Sequence, residues 1–382
     1  SSIGHAFMHM FAAFYFVIVL SIEQEWHFTY DELISLWTLG ALLIGLGALP
    51  AGWLSDRWSR SSMMVIMFIG MGLSSILCAL SNEQFSLFIG LSLLGLSCSI
   101  YHPVGIAWVV NSSEKKGRAL GINGIFGGVG IGSGAFIAGL LIKNFDWKFA
   151  FIIPGIISLI IGIILFFFIS NNLISFQNSK TKDLEENNSS HNLIIIACIL
   201  LFSMFGLGLT FQIMQTSLPK VFDIRIANLS TFAIGSIIGI IYGISGLMTL
   251  VGGFLADKFS LKKIYVIGIA AQVPCFYFIA NFSGIPLIFV CLMAAMFNSS
   301  ILPTENILLA KFTPERHHGL IYGFKFIVAF GSAPIAVFLI SKIYEQTQEF
   351  TNLFYISFIL MMFVAFFVLF LPVKNQKMNF PN

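Results

Sequence analysis

Gly52-Trp53-Leu54-Ser55-Asp56-Arg57-Trp58-Ser59-Arg60 closes one apolar run of the chain, and Gly253-Phe254-Leu255-Ala256-Asp257-Lys258-Phe259-Ser260-Leu261-Lys262-Lys263 closes another, with the two aspartates 201 residues apart. Each copy keeps a glycine, three residues, an aspartate and a base, with more bases close behind. The echo extends further: Pro103 answers Pro303, while Gly117 and Gly121 answer Gly319 and Gly323, at offsets of 200 to 202. Three elements repeating at one spacing mark a duplicated chain.

The solvent of that duplicated unit follows from composition. With 57% hydrophobic and 10% charged residues and a mean hydropathy of +0.92, a soluble domain of 382 residues is excluded. A span needs about 20 mostly apolar residues to cross a hydrocarbon core of about 30 Å, with its backbone groups satisfied internally. Phe149 to Ser170 and Asn192 to Pro219 contain no Asp, Glu, Lys or Arg, and the alternation of barrel strands is absent. The expected fold is therefore an all-α integral membrane protein of twelve transmembrane helices in two six-helix halves. The spans begin near residues 3, 33, 62, 85, 119, 149, 193, 233, 264, 285, 319 and 351. Asn171 to Asn192, with Lys180, Lys182, Asp183, Glu185 and Glu186 among Asn and Ser, reads as a solvated linker. It divides an N-terminal bundle, 1–170, from a C-terminal bundle, 193–382. Parallel six-span repeats of this kind hold a solute between them near the membrane midplane.

Charge sets the orientation. With the N-terminus inside, the segments on that side hold 14 of the 20 Lys and Arg, from Arg57 through Lys377, and the opposite loops hold only Lys143, Lys148, Lys220, Arg225 and Lys342. The first opposite loop carries Glu23, Glu25, Asp31 and Glu32 and no base. The positive-inside bias places both termini and the linker in the cytoplasm, in an inner membrane. The net charge of +3 is explained by this asymmetry, so lipid is an expected partner and nucleic acid is not. The first span starts almost at Ser1 without an initiator Met, which reads as the loss of a short N-terminal tail in preference to a cleaved signal peptide. Cys78, Cys98, Cys198, Cys275 and Cys291 lie scattered in apolar spans and read as small core residues.

Ionisable groups at depth are costly and usually face a cavity. Lys325 stands about six residues into the eleventh span and completes the count of 20 bases; Glu305 lies at similar depth in the tenth. The pair reads either as an ion pair or as groups that meet solute or proton. His5 and His9, four apart on the first span, share one face, and His102 follows Tyr101 before Pro103. Each histidine is either a hydrogen-bonded core residue or a group that titrates near neutral pH in proton coupling. No Cys or carboxylate accompanies them at ligand spacing, so no metal is expected. Gln212, Gln215, Asn298 and Asn306, with Asn123 and Tyr242, add neutral polar groups, which serve as interhelical glue singly and as a polar cavity together. The Gly121 to Gly139 stretch lies within a span and reads as a packing surface, and neither a zinc-protease helix nor a nucleotide-binding loop is present, so no enzyme and no cofactor are expected.

The loops Gly52 to Arg60 and Gly253 to Lys263 resemble the loop signature of the major facilitator superfamily, between helices 2 and 3 and again between helices 8 and 9. Asp146-Trp147-Lys148-Phe149-Ala150-Phe151 resembles the start of helix 6 in that superfamily. The likeness covers essentially the whole chain. It implies that helices 1, 4, 7 and 10 line a central cavity, where His5, His9, Tyr101, His102, Gln212, Gln215, Asn298, Glu305 and Asn306 could meet. It also implies a gate in which Gly52 and Gly253 admit neighbouring backbones, Asp56 meets the start of helix 11 near Gly319, and Asp257 meets the start of helix 5 near Gly117. Arg57, Arg60, Lys258 and Lys262 would steady those carboxylates. Within the superfamily, Gly4-His5, Tyr101-His102-Pro103 and the Gly117 to Gly139 stretch are similar to the fosmidomycin-resistance type of efflux carrier. Drug/proton antiporters differ from this chain in two places, where it has Leu91 before Gly95 and Gly128 after Gly127.

The reading implied is a monomeric secondary carrier for a small polar or anionic organic solute, coupled to protons. A toxic-compound efflux carrier and a non-transporting, carrier-like receptor or assembly component are its alternatives.

Overall fold

In hydrocarbon a long apolar run has no water to satisfy its N–H and C=O groups, so it spans as a helix. The computed structural model describes residues 1–112, 116–173, 193–312 and 318–372, and among these it contains helices and no strand. Among the described residues, twelve helices are long and apolar enough to cross a membrane. They are α1 (Ser2–Ala13, resumed as Tyr15–Trp26), α2 (Tyr30–Ser35, resumed as Thr38–Arg57), α3 (Arg60–Ala79), α4 (Gln84–Cys98, resumed as Tyr101–Asn111), α5 (Lys116–Asn144) and α6 (Trp147–Ser170) in the first half. The second half comprises α7 (Leu193–Arg225), α8 (Thr231–Lys258), α9 (Leu261–Asn281), α10 (Gly284–Phe312), α11 (His318–Thr347) and α12 (Thr351–Val368). Every observed start lies within three residues of its expectation. Only residues 171–173 of the expected linker fall within the described residues. The five cysteines are free thiols, and all but Cys198 are buried.

Local chemistry explains where several helices begin and break. Asp146 caps α6 by accepting from the Lys148 and Phe149 N–H groups at 2.8 and 3.2 Å, which satisfies two orphan donors of the first turn. Thr29 and Glu32 form a capping box at the start of α2. In α4 the helix lapses at Ser99 and Ile100, four and three residues ahead of Pro103, whose ring clashes with the carbonyl four back and which has no N–H to donate. Its counterpart Pro303 sits inside an uninterrupted α10, so the repeat keeps the residue without the break.

Apolar side chains gain little by leaving lipid for protein, so contact between spans is set by small residues and polar pairs. α5 and α8 run antiparallel and join the two halves along glycines. A Cβ on Gly132 would lie 2.6 Å from the Gly239 carbonyl oxygen, and one on Gly246 would lie 3.1 Å from the Gly128 Cα. Seven residues further along the same register, Gly121 and Gly253 should face each other, but neither has anything within 4 Å of an added Cβ. α5 and α8 are in contact from mid-membrane toward the face where α1 ends, the far face, and their glycines lose that contact toward the face where α1 begins, the near face.

The far face is closed by polar contacts between the halves. Lys220 on α7 binds Glu23 on α1 through both carboxylate oxygens, at 2.8 and 3.0 Å, and Asp223 at 3.0 Å. The Tyr30 hydroxyl donates to the Thr216 carbonyl at 3.3 Å, and its ring meets Tyr344 edge-on at 5.1 Å. Ser341 on α11 donates to the Asp31 carbonyl at 3.1 Å. Within the second half, Arg225 joins α7 to Glu349, before α12, and to the Ile279 carbonyl at the end of α9. Burial alone would raise the Glu349 carboxyl, yet hydrogen bonds from Arg225 and Thr351 hold it below the ordinary carboxylate range.

Adjacent glycines of α8 make opposite demands. A Cβ on Gly252 would lie 1.8 Å from the Ser300 carbonyl oxygen of α10, whereas Gly253 faces open space. Gly252→Ala should force the helices apart and cost about 1–3 kcal/mol. Gly253→Ala should cost nothing and gain up to about 1 kcal/mol of helix propensity. Thermal unfolding of the two purified variants in detergent checks this, and equal melting temperatures would contradict the packing described.

Candidate functional site

Two polar clusters lie at depth, one in each half. In the first half, α1, α4 and α5 bring together residues that are distant in sequence. His5 and His9 share one face of α1, and His102 comes from the segment of α4 that resumes after the break. Ring centroids are 4.8 Å apart for His5 and His9, 5.6 Å for His5 and His102, and 5.5 Å for His9 and His102. Tyr101 stacks on His5 at 4.7 Å. Asn123 on α5 ties the group together: its backbone carbonyl lies 2.7 Å from His5 Nδ1, and its side-chain amide donates to the Tyr101 hydroxyl at 2.7 Å. The three histidines, which the family resemblance allowed to meet, lie in one cluster.

In the second half, Lys325 on α11 and Glu305 on α10 form an ion pair at 2.8 Å, with side chains only 11% and 4% exposed. Lys325 also donates to Asn306. The other Glu305 oxygen accepts from the Tyr265 hydroxyl on α9 at 3.2 Å, and Tyr265 in turn lies 2.8 Å from Ser203 Oγ on α7. Of the two readings left open by sequence, the geometry is that of the ion pair: the lysine charge is met inside the protein. Tyr265 and Ser203 were not anticipated, because a single hydroxyl in an apolar span carries no periodic or charge signal.

Elsewhere in the second half, Phe211, Met214, Tyr242, Gln272, Phe276, Ala295 and Asn298 line a cleft with room for about one water-sized group. Asn298 donates to Gln272 at 3.3 Å. The Tyr242 hydroxyl is buried and has no hydrogen-bond partner among the described residues. A buried hydroxyl left unsatisfied costs about 1–3 kcal/mol, which a solute donor or acceptor would recover. Gln272 also escaped the sequence reading, since it stands on a span not expected to line the cavity. Gln212 and Gln215 lie on the same helix as Phe211 and Met214, the former half-buried and the latter buried.

The repeated loops are alike in a way the spacing did not reveal. Arg57 lies over the Trp53 ring at 4.3 Å and Lys258 over the Phe254 ring at 4.2 Å, the same cation–π pair in each half. Asp56 binds Arg60 at 3.0 Å within its own loop, whereas Asp257 is exposed and neither Lys258 nor Lys262 forms an ion pair with it. A Cβ on Gly52 would meet Pro103 at 3.2 Å, as a glycine of close approach should. Gly253 does not act this way in this conformation; the close approach on α8 belongs to Gly252, because Gly253 points into the near-face opening. The expected meetings of Asp56 with Gly319 and of Asp257 with Gly117 lie outside the described side chains. The far-face lock built on Lys220, Glu23 and Tyr30 was missed: its charges read as ordinary loop residues flanking spans, and only the packing of α1 against α7 pairs them.

Comparison with known proteins places this geometry. Residues 2–246 and 193–382 match the model of the Major Facilitator Superfamily. The chain is 31% identical over 134 residues to the riboflavin transporter RibZ of Clostridioides difficile (strain 630), covering 33% of this chain and 29% of that protein. It is 26% identical over 144 residues to the gallate transporter of Pseudomonas putida, covering 37% and 32%. The matched stretches thus span about a third of each relative. The fold is similar to the crystal structure of a bacterial homolog to the human lysosomal transporter Spinster in its inward-facing and occupied conformation, with a TM-score of 0.72 at 13% identity, covering 97% of this chain and 92% of that one.

The ion pair makes a distinct prediction. Lys325→Gln and Glu305→Gln should each destabilise the protein by about 3 kcal/mol, because each leaves one charge buried without its partner. The double variant should recover most of the loss. A double-mutant cycle of thermal unfolding reads the coupling; strictly additive losses, or a Lys325→Gln protein that melts normally, would contradict it.

Proposed function

The chain belongs to the major facilitator superfamily, and from that premise we propose that it is a secondary carrier that moves a small polar organic solute across a membrane by rocking its two halves about a central site. The near face is cytoplasmic on this reading, as the 14 bases on that side favour. The conformation described then corresponds to a carrier open to the cytoplasm and closed outside. Contact along α5 and α8 that stops at Gly128 and Gly246, and the lock of Lys220 on Glu23, support this.

The observation that carries the solute class is the Tyr242 hydroxyl, buried and without a partner among the described residues, in a cleft also lined by two aromatic rings and two side-chain amides. Such a cleft accepts one uncharged polar substituent, with Phe211 and Phe276 beside it for apolar contact. An anionic solute is less favoured, because Lys325 is already neutralised by Glu305. The relatives are named for riboflavin, an uncharged ring compound, and for gallate, a ring-bearing carboxylate; the shared ring agrees with an aromatic lining, and the charge preference rests on the Lys325–Glu305 pair alone.

Proton coupling fits the second-half network. Glu305 on α10 is a buried carboxylate shared between Lys325 on α11 and Tyr265 on α9. A proton taken up there would release Lys325 and loosen α10 from α11, so that protonation and rocking are linked through one contact. Direction of transport, uptake or efflux, is not fixed by this contact and follows from the gradient to which the cycle is tied.

A thermal-shift screen of purified protein with neutral ring-bearing alcohols and amides against matched carboxylates tests the class, since a ligand held only by the native state raises its melting temperature. Neutral compounds should stabilise more. Tyr242→Phe should leave the unliganded protein as stable or more so, because an unsatisfied hydroxyl is removed, yet weaken the best stabilising compound by about fivefold to tenfold. Unchanged affinity in Tyr242→Phe would exclude this cleft from the site.

A further inference from the structure

His5, His9 and His102 offer ring nitrogens that all lie within 4.8 Å of one another, on two helices held by the surrounding packing. From this geometry we propose that the first-half cluster is a binding site for one divalent transition-metal ion of the zinc class. The proposal does not rest on the solute reading, since it concerns a different half and a different ligand chemistry.

The orientation of His5 supports it. A carbonyl oxygen only accepts, so the 2.7 Å contact with the Asn123 backbone requires His5 Nδ1 to carry the proton and leaves the Nε2 lone pair available. This is the arrangement in which metal-ligating histidines are held: one ring nitrogen donates to a fixed acceptor while the other binds the ion. Tyr101 stacked on the ring fixes its plane. The ring also packs on Gly127, where an added Cβ would lie 2.9 Å from Nε2, so any side chain there would crowd the nitrogen assigned to the ion.

The donor set selects the ion. Imidazole suits zinc, nickel, cobalt and copper, whereas calcium and magnesium take oxygen ligands, and the cluster contains no carboxylate. Zinc–nitrogen bonds of about 2.0–2.1 Å in a tetrahedron need roughly 3.3 Å between nitrogens, so the imidazoles close inward by rotation when the ion arrives. Three neutral donors leave the fourth position open and the ion's charge uncompensated. A small anion from solution completes the site, since a buried charge needs a counter-charge. Sequence spacing concealed the set because its third member lies on another helix.

The test uses the full chain in detergent micelles, after removal of any polyhistidine tag, with Co2+ as a spectroscopic probe and Zn2+ as competitor. One Co2+ per chain should bind with the intense visible bands of four-coordinate cobalt and be displaced by Zn2+. His5→Gln, His9→Gln and His102→Gln should each weaken binding more than about tenfold, while His27→Gln, in the exposed turn after α1, should not. No saturable Co2+ binding, or binding unaffected by all three substitutions, would overturn the proposal. Should the variants fail to fold by circular dichroism, 15N-histidine spectra of the wild type decide: Zn2+ should shift three of the seven histidines, and unchanged imidazole signals would overturn it.

Discussion

The grip of Lys220 on Glu23 is the contact on which the conformation of this protein depends. It joins α7 to α1 across the two halves, at a lysine whose side chain is only 8% exposed. Glu23 is part-exposed and Lys220 also holds Asp223, so losing the lysine costs less than the ~3–5 kcal/mol of a fully buried pair. Tyr30 and Ser341 reinforce it with two backbone-directed hydrogen bonds, and the rings of Tyr30 and Tyr344 flank the ammonium at 5.7 and 5.9 Å. With the far face so held, the near face is left free to part.

What lets the halves part without falling asunder is the α5–α8 seam. Glycine backbones in contact have no side chains to interlock, so the two helices can pivot where Gly132 meets Gly239 and where Gly128 meets Gly246. Gly121 and Gly253 extend the same register into open space, and they supply a smooth surface on which the near face could shut once the far lock lets go. The duplicated loops sit at the edge of that opening, each with a base lying over its own aromatic ring. Among the described residues, the polar ties between the halves lie at the far face, while the near-face pair of Asp56 and Arg60 stays within one loop.

The architecture was legible because hydrocarbon permits so few answers. Apolar run length placed all twelve helices to within three residues, and the 201-residue offset marked the two halves. The site was only partly legible. Glu305 and Lys325 stood out because charges at depth are rare, and the structure pairs them. The histidines stood out by type, and the family resemblance allowed them to meet, but the turn of α4 that brings His102 to α1 follows from the lapse ahead of Pro103 and from no periodicity. Ser203, Tyr265 and Gln272 were silent, as lone polar residues in apolar spans give no pattern. Gly253 matched its motif yet has nothing within 4 Å of an added Cβ, and the close approach on α8 belongs to its neighbour Gly252.

The central claim is that the far-face lock and the near-face opening are two ends of one rocking motion. Spin labels on a cysteine-free background, at Glu25 and Gln348 for the far face and at Leu120 and Leu250 for the near face, would report both ends at once by pulsed dipolar distances. In Lys220→Met the account predicts that the far-face distance lengthens while the near-face distance shortens. A far-face pair that lengthens with the near-face pair unchanged would show that the lock holds a local contact only, and would contradict it.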